Sequence, residues 1–276
     1  MNPLNVTTLL RQFNLHPKKS LGQNFLVDEA MLACVADTAD LTADDTVLEI
    51  GPGLGSLTRH LATRAQHVVA VELDDTLLPV LRHVLTAYSN VEIIHRDILK
   101  LNLPAVMGDA PYKVVANIPY NITSAIVRYL LEAPTRPSVI VLTIQREVAE
   151  RICATPGDMS LLAVSVQFYA RPTIVAHIPA DAFHPRPAVD SAVVRLEVLP
   201  RPAVVVDNVD DFFRVVKAGF SQKRKQIRNS LSGGLALKPT DTDALLACAQ
   251  LDPKRRAETL TLEEWATLTQ VLTLRE

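Results

Sequence analysis

Three glycines and two carboxylates sit at the ends of apolar runs, at spacings that suit ligand binding. The stretch LEIGPGLGSLT (48–58) places Gly51, Gly53 and Gly55 between an apolar run and a helical pattern. Glycine tolerates positive φ, and its missing Cβ lets the backbone touch a ligand. A dinucleotide fingerprint requires G-x-G-x-x-G, and Ser56 occupies its last position. An acid, an apolar residue and then G-x-G-x-G suits S-adenosylmethionine better than a pyrophosphate. Glu72 ends the next apolar run, 21 residues after Gly51, where a carboxylate accepts both hydroxyls of a ribose. Asp97 ends the third run, within reach of an adenine amino group. The glycine loop alone reads equally as a tight strand-to-helix turn, and each acid alone as a helix cap. Successive runs delivering such groups to one edge make the ligand reading the stronger, because open α/β sheets bind ligands at that edge.

A fourth run, Val114 to Ala116, breaks into Asn117, Ile118, Pro119 and Tyr120. If the methyl acceptor is an adenine N6 amine, its lone pair is delocalised into the ring and is poorly nucleophilic. Acceptors aimed at its two N–H groups draw it toward tetrahedral geometry; the Asn117 side-chain oxygen and the Ile118 carbonyl suit that task. Pro119 biases Ile118 toward an extended conformation, and Tyr120 offers a face on which an extruded adenine can stack. No strong base is needed, since the product amine is acidic until it sheds its proton. The competing reading is a strand end followed by a helix start.

These groups need a scaffold that brings run ends together. Strand-like runs recur at 46–50, 67–73, 91–97, 112–118 and 138–144, with helical patterns at 56–64 and 76–87. Strands apolar throughout, alternating with helices, predict a mostly parallel sheet covered on both faces. The runs 161–170, 172–179 and 191–199 predict antiparallel strands that finish the sheet. From about residue 207 the spacing is helical only, after a linker at 199–208. The expected organisation is an α/β ligand-binding domain over 1–200 and a small all-helical domain over 207–276.

At 276 residues, 48% hydrophobic and 21% charged, the chain has the composition of a globular protein with a sizeable core. No apolar run approaches the ~20 residues that span a bilayer, and the N-terminus lacks the apolar block of a signal peptide. Cys34, Cys153 and Cys248 are too far apart for a disulfide framework or a zinc site, so a reducing, cytoplasmic setting and no metal are expected. The net charge of −2 hides an asymmetry, because residues 212–240 carry seven basic side chains and no acid. Lys223, Arg224, Lys225 and Arg228 are expected on one or two turns of helix, where they suit phosphate contacts or form a plain solvated face.

Taken together, these motifs resemble the ribosomal RNA adenine dimethyltransferases of the KsgA type. The resemblance runs through KKSLGQNFLVD (18–28), the glycine loop, VVAVELD, RDIL, NIPYNIT and IQREVAERI (144–152). It continues through FHPRPAVDSAVVRLE (183–197), FSQKRKQIRNSL (220–231) and LDPKRRAETLT (251–261). It implies a Rossmann-like class I methyltransferase sheet that uses S-adenosylmethionine, with a helical C-terminal RNA-binding domain. The implied substrate is two adjacent adenines near the 3′ end of small-subunit, 16S-type rRNA, each dimethylated at N6 during ribosome biogenesis, by an enzyme expected to be monomeric. Carried over by motif, the donor site includes Asn24, Leu26, Gly51, Glu72, Asp97 and Asn117. Asn24 and Leu26 rest on the resemblance alone, since GQNFLVD otherwise reads as a turn whose Asp28 caps a helix. Lys18 and Lys19 are weaker candidates for phosphate contact. Phe183 is implied as an aromatic beside the target pocket, a rigid edge turn being the alternative. The chain departs from the family at Ile118, where bacterial members commonly have Leu, and at Met159-Ser160, where an aromatic-Gly pair is usual. An Erm-type enzyme acting on large-subunit rRNA, a mainly non-catalytic assembly factor and a DNA adenine methyltransferase are the alternatives. No helix-turn-helix for duplex DNA is visible.

Overall fold

The structure is a computed structural model that describes residues 2–222 and 224–274, residue 121 for its backbone only. Among the described residues nine strands form two sheets: β1 Phe25–Leu26, β2 Thr46–Ile50, β3 His67–Glu72, β4 Val91–His95, β5 Tyr112–Asn117, β6 Val139–Gln145, β7 Ala170–Ile178, β8 Phe183–His184 and β9 Ser191–Val198. Seven of them make one sheet in the order β4-β3-β2-β5-β6-β9-β7, and β1 pairs with β8 separately. The pairs β3–β4, β2–β3, β2–β5 and β5–β6 are all parallel, and β6–β9 is antiparallel.

The apolar runs form these strands because both faces are covered. Val47, Leu48, Val68, Val114, Val115, Ile140 and Val141 are all buried, as fully covered parallel strands require. One cluster packs Val47, Val68, Val115 and Val141 against Leu32 and Val35 of the helix Glu29–Thr38 and Leu57 and Leu61 of the helix Ser56–Ala62. Asp28 caps the first of these helices by accepting from the Met31 N–H at 3.0 Å, as the sequence predicts.

The chain runs outward from β2 through β3 to β4, then returns to lay β5 on the other side of β2. That reversal leaves a crevice at the carboxyl ends of β2 and β5, where Leu48 pairs with Val114. Gly51 and Asn117 therefore end two neighbouring strands, and a Cβ on Gly51 would lie 3.9 Å from the Asn117 carbonyl oxygen.

The compact units are Met1–Ala149 with Pro172–Val198, and Glu150–Arg171 with Leu199–Glu276. Residues 150–171 thus belong with the C-terminal helices, which a single division near residue 200 cannot express. The expected strand over 161–170 is instead the helix Leu161–Gln167, whose N-cap Ser160 accepts from the Ala163 N–H at 3.1 Å. A short apolar run fits a buried helix as well as a buried strand. This also accounts for the departure at Met159-Ser160. The Met159 side chain is buried in the helical core, and the N–H groups of Gly157 and Met159 both donate to the Glu258 carbonyl, at 2.9 and 3.1 Å.

In the helical unit Val209–Phe220 packs against Ile227–Gly234 and Leu262–Thr273. The fit is tight at Gly219, where a Cβ would stand 2.3 Å from Cη2 of the fully buried Trp265. Gly219→Ala is expected to lower stability by about 1–3 kcal/mol. Trp265 is the chain's single tryptophan, so its fluorescence in a urea titration reads this unit. An unchanged midpoint would mean that the helices can separate without loss.

Candidate active site

The glycine loop leaves β2 with Gly51 at φ +70° and Gly53 at φ +59°, a left-handed backbone that a side chain would strain. This turn aims the Gly53 N–H at Glu72 Oε2, 3.0 Å away, while Glu72 Oε1 accepts from the Asp74 N–H at 2.8 Å. Glu72 is thereby held at the end of β3. Burial raises its pKa, and the N–H groups of Asp74 and Gly53 act in the opposite direction. Asp97 stands beyond β4, where its Oδ1 accepts from the Leu99 N–H at 3.0 Å and caps a short 3-10 helix. The capping reading and the ligand-facing position thus coexist at Asp97.

Asn117 ends β5, and its Nδ2 donates to the Asn24 carbonyl at 3.2 Å. A carbonyl can only accept, so this bond orients the amide and leaves Oδ1 as the available acceptor. Ile118 is 2% exposed, its side chain committed to the core, and Pro119 holds φ −58° and ψ 135°. The Tyr120 hydroxyl shares a hydrogen bond of 2.7 Å with Ser191 Oγ at the start of β9. Burial raises the Tyr120 pKa, so the phenol stays neutral and can serve as a fixed ring.

These groups surround one cavity, lined by residues 20–26, the glycine loop, the ends of β3 and β4 and residues 117–120. It contains Asn24, Leu26, Gly51, Gly53, Glu72, Asp97, Asn117, Ile118, Pro119 and Tyr120. Gly55 does not line it. Its missing Cβ instead makes room for Leu81 and Val84, whose side chains would come within 3.2 Å, so this glycine serves helix packing. Phe183 does not line it either. It is 4% exposed, paired with Leu26 across β1–β8 and packed in the core, and is unavailable for stacking on a base.

The basic segment also differs from expectation. Arg224 and Lys225 are exposed in the turn before the helix Ile227–Gly234 and are not on its face. Lys223 lies outside the described residues. Arg228 is on the helix but has an acid partner, donating from Nη2 to Asp243 Oδ2 at 2.8 Å with a second bond from Nε. Lys18, for its part, pairs with Asp74 at 2.7 Å.

Glu49 is the acid that opens the glycine motif in the sequence but is not among the site residues expected from it. It lines the cavity at 1% exposure, and its Oε2 has no hydrogen-bond partner. Burial, with the Glu72 charge adding to it, pushes its carboxyl up to about 8. An acid inside an otherwise apolar strand was the available signal, since such a residue is rarely buried without a purpose. With Glu72 and Asp97 it gives the cavity three carboxyl groups, and Arg96 is the one basic residue among the described lining. This donor set fits a cationic, nucleoside-bearing ligand such as a sulfonium. Among the described residues no group of three or more His, Cys, Asp or Glu could hold a metal, and no helix is long and apolar enough to cross a membrane.

A doubly wound sheet with carboxylates at successive strand ends and an Asn-Ile-Pro-Tyr edge defines a class I S-adenosylmethionine-dependent methyltransferase. The sequence profile of the family "Ribosomal RNA adenine dimethylase" matches residues 14–273. A relative called ribosomal RNA small subunit methyltransferase A from Dehalococcoides mccartyi (strain CBDB1) is 46% identical, over 94% of this chain and 90% of the relative. Another of that name from Alkaliphilus metalliredigens is 42% identical over 100% of this chain and 99% of its own. Among solved structures, the 23S rRNA methyltransferase ErmE aligns with a TM-score of 0.73 at 33% identity, over 91% of this chain and 100% of that one. A dimethyladenosine transferase from Plasmodium falciparum shares the fold, with a TM-score of 0.72 at 23% identity over 90% of this chain and 97% of its own. The chain belongs to the ribosomal RNA adenine dimethylase family.

Glu49 makes stability depend on pH. Its folded pKa of about 8 lies above the ordinary 4.5, so between those values the unfolded chain ionises while the folded protein keeps the proton. Its contribution to stability is complete below about 4.5 and declines as pH rises through 8. Glu49→Gln cannot ionise, and is expected to gain roughly 1–3 kcal/mol over the natural chain between pH 5 and pH 8. Urea titrations at the two pH values measure the gap, and a gap independent of pH would show that Glu49 is charged in the fold.

Proposed function

We propose that this protein transfers methyl groups from S-adenosylmethionine to N6 of two adjacent adenines near the 3′ end of small-subunit, 16S-type rRNA. Dimethyladenosines are the products, made in the cytoplasm during ribosome biogenesis by a monomeric enzyme. The observation that carries the reading is the Asn117 amide, held by the Asn24 carbonyl at the reversal of the sheet with Oδ1 left to accept. The 42–46% identity to relatives called small subunit methyltransferase A supports the substrate.

S-adenosylmethionine supplies a methyl group activated on a sulfonium. Glu72 accepts the ribose hydroxyls, Asp97 the adenine amine, and the glycine loop admits the backbone close to the donor. Asn24 and Leu26 form the facing wall. Asn117 Oδ1 and the Ile118 carbonyl accept from the two N–H groups of the target amine, which frees its lone pair for the methyl carbon. A donor bound there would supply its methyl group to that lone pair, its S–CH3 bond breaking as the C–N bond forms, and the amine would then shed its proton. Tyr120, fixed by Ser191, supplies the stacking face. The contribution is orientation and electrostatics, with no covalent intermediate. Arg224 and Lys225 are the described members of the basic segment available for phosphate contacts in the helical, RNA-binding domain.

The 33% identity to ErmE favours a second reading, methylation of large-subunit rRNA. The test is transfer of labelled methyl groups to small subunits lacking the terminal dimethyladenosines, with the sites mapped by mass spectrometry. Label on two adjacent adenines is expected, and predominant label on large subunits would replace the first reading with the second. Asn117→Ala is expected to abolish transfer while leaving RNA binding nearly intact; collapse of binding as well would make the role assigned to Asn117 wrong or incomplete. Ser191→Ala is expected to lower kcat several-fold with donor affinity unchanged, and to add little to Tyr120→Phe. Additive effects would separate Ser191 from the ring.

A further inference from the structure

The cavity wall formed by residues 20–24 lies outside the strands of the sheet. At its far end Asn24 accepts from Asn117, and the Val27 N–H donates to the Ala182 carbonyl at 2.8 Å. Between Lys19 and Gly22 the backbone hydrogen bonds stay within the segment, Leu21 N–H to the Lys18 carbonyl and Gly22 N–H to that of Lys19.

At the near end, one carboxylate receives the segment. Asp74 Oδ1 accepts from Lys18 Nζ at 2.7 Å, and Asp74 Oδ2 accepts from Gln23 Nε2 at 2.7 Å. Gln23 closes the ring, since its Oε1 accepts from the Lys18 N–H at 2.8 Å. Thr76 adds its hydroxyl to Asp74 Oδ1 at 2.6 Å. The Asp74 side chain is 2% exposed and that of Lys18 41%, so the carboxylate is buried under its partners. Such charge-assisted bonds are the strong ones. Burial alone would raise the Asp74 pKa, but the hydrogen bonds from Lys18, Thr76 and Gln23 outweigh it and hold it below the ordinary value. The carboxylate is therefore charged at neutral pH.

The Asp74 N–H is also one of the backbone donors that hold Glu72. A single two-residue step thus joins the wall to the acid assigned to the donor's ribose. Neither Lys18 nor Asp74 lines the cavity, so both act through other residues.

The geometry points to Lys18, Gln23 and Asp74 as a latch that positions the 20–24 wall over the donor and sets how long the donor stays bound. This rests on the reading of the cavity as the S-adenosylmethionine site. Lys18 then serves a protein carboxylate, in place of the RNA phosphate suggested by its sequence. Breaking the latch raises the dissociation rate more than it lowers the association rate, because a loosened wall obstructs entry no further.

The test uses the full chain with Lys18→Met, which keeps the apolar stem of a half-buried residue, and with Asp74→Asn. S-adenosylmethionine and S-adenosylhomocysteine binding are measured by calorimetry, and dissociation by chase of labelled donor. Each variant is expected to raise Kd about tenfold through faster dissociation, the loss of one charge-assisted hydrogen bond. The double variant is expected to be no weaker than Asp74→Asn. Amide hydrogen exchange at residues 19–24 is expected to quicken in both by more than exchange in the buried strands β2 and β5, although Lys18→Met also lowers the unfolding midpoint by leaving the buried Asp74 carboxylate without its cation. Unchanged dissociation in variants of a chain that binds donor would overturn the latch alone. Failure of the natural chain to bind donor would overturn the donor reading and the latch with it.

Discussion

The adjacency of β2 and β5 is the constraint on which the site depends. The chain builds outward from β2 and returns to place β5 beside it, so two strand ends 66 residues apart open onto the same crevice. At that point each neighbour must be small or pinned. Gly51 has no Cβ, and one placed there would approach the Asn117 carbonyl. Asn117 is fixed by a bond to Asn24, 93 residues earlier in the chain. Rigidity comes from the strands beneath, buried on both faces and close-packed, so the amide is preorganised before any ligand arrives.

Electrostatics adds a second requirement. Three carboxyl groups in one largely apolar cavity would repel one another if all were charged. The structure resolves this unevenly. Glu72 is compensated by backbone N–H groups from both sides, Asp97 is partly exposed and caps a helix, and Glu49 has neither aid and keeps its proton to about pH 8. A cationic ligand relieves this arrangement more than a neutral one.

Much of this was legible in the sequence, for identifiable reasons. Buried parallel strands announce themselves as apolar runs, and their ends are where Gly51, Glu72, Asp97 and Asn117 stand. Features that depend on what lies across the fold were not legible. Ser160 reads as a loop residue until the helix it caps is seen, and the run 161–170 carries no periodicity to separate helix from strand. Phe183 has the chemistry of a stacking residue, but its pairing with Leu26 buries it. Gly55 has the spacing of a ligand glycine, but it accommodates Leu81 and Val84. Arg228 belongs to an acid-free run in sequence, yet Asp243, fifteen residues on, meets it in space. In each case local residue type was read correctly and the partner was remote.

The same distinction separates the rigid from the adjustable parts of the site. Glu72 and Asn117 end buried strands, and moving them would disturb the sheet. Residues 20–24 line the same cavity with no strand beneath them, tied at one end to Asn117 through Asn24 and at the other to Asp74. Local openings draw on the least supported segments of a fold. The segment that meets this description also touches the amide assigned to the target base. The cavity wall and the Asn117 amide therefore share one piece of chain, joined where Asn24 accepts from Asn117, so how residues 20–24 are held bears on how that amide is held.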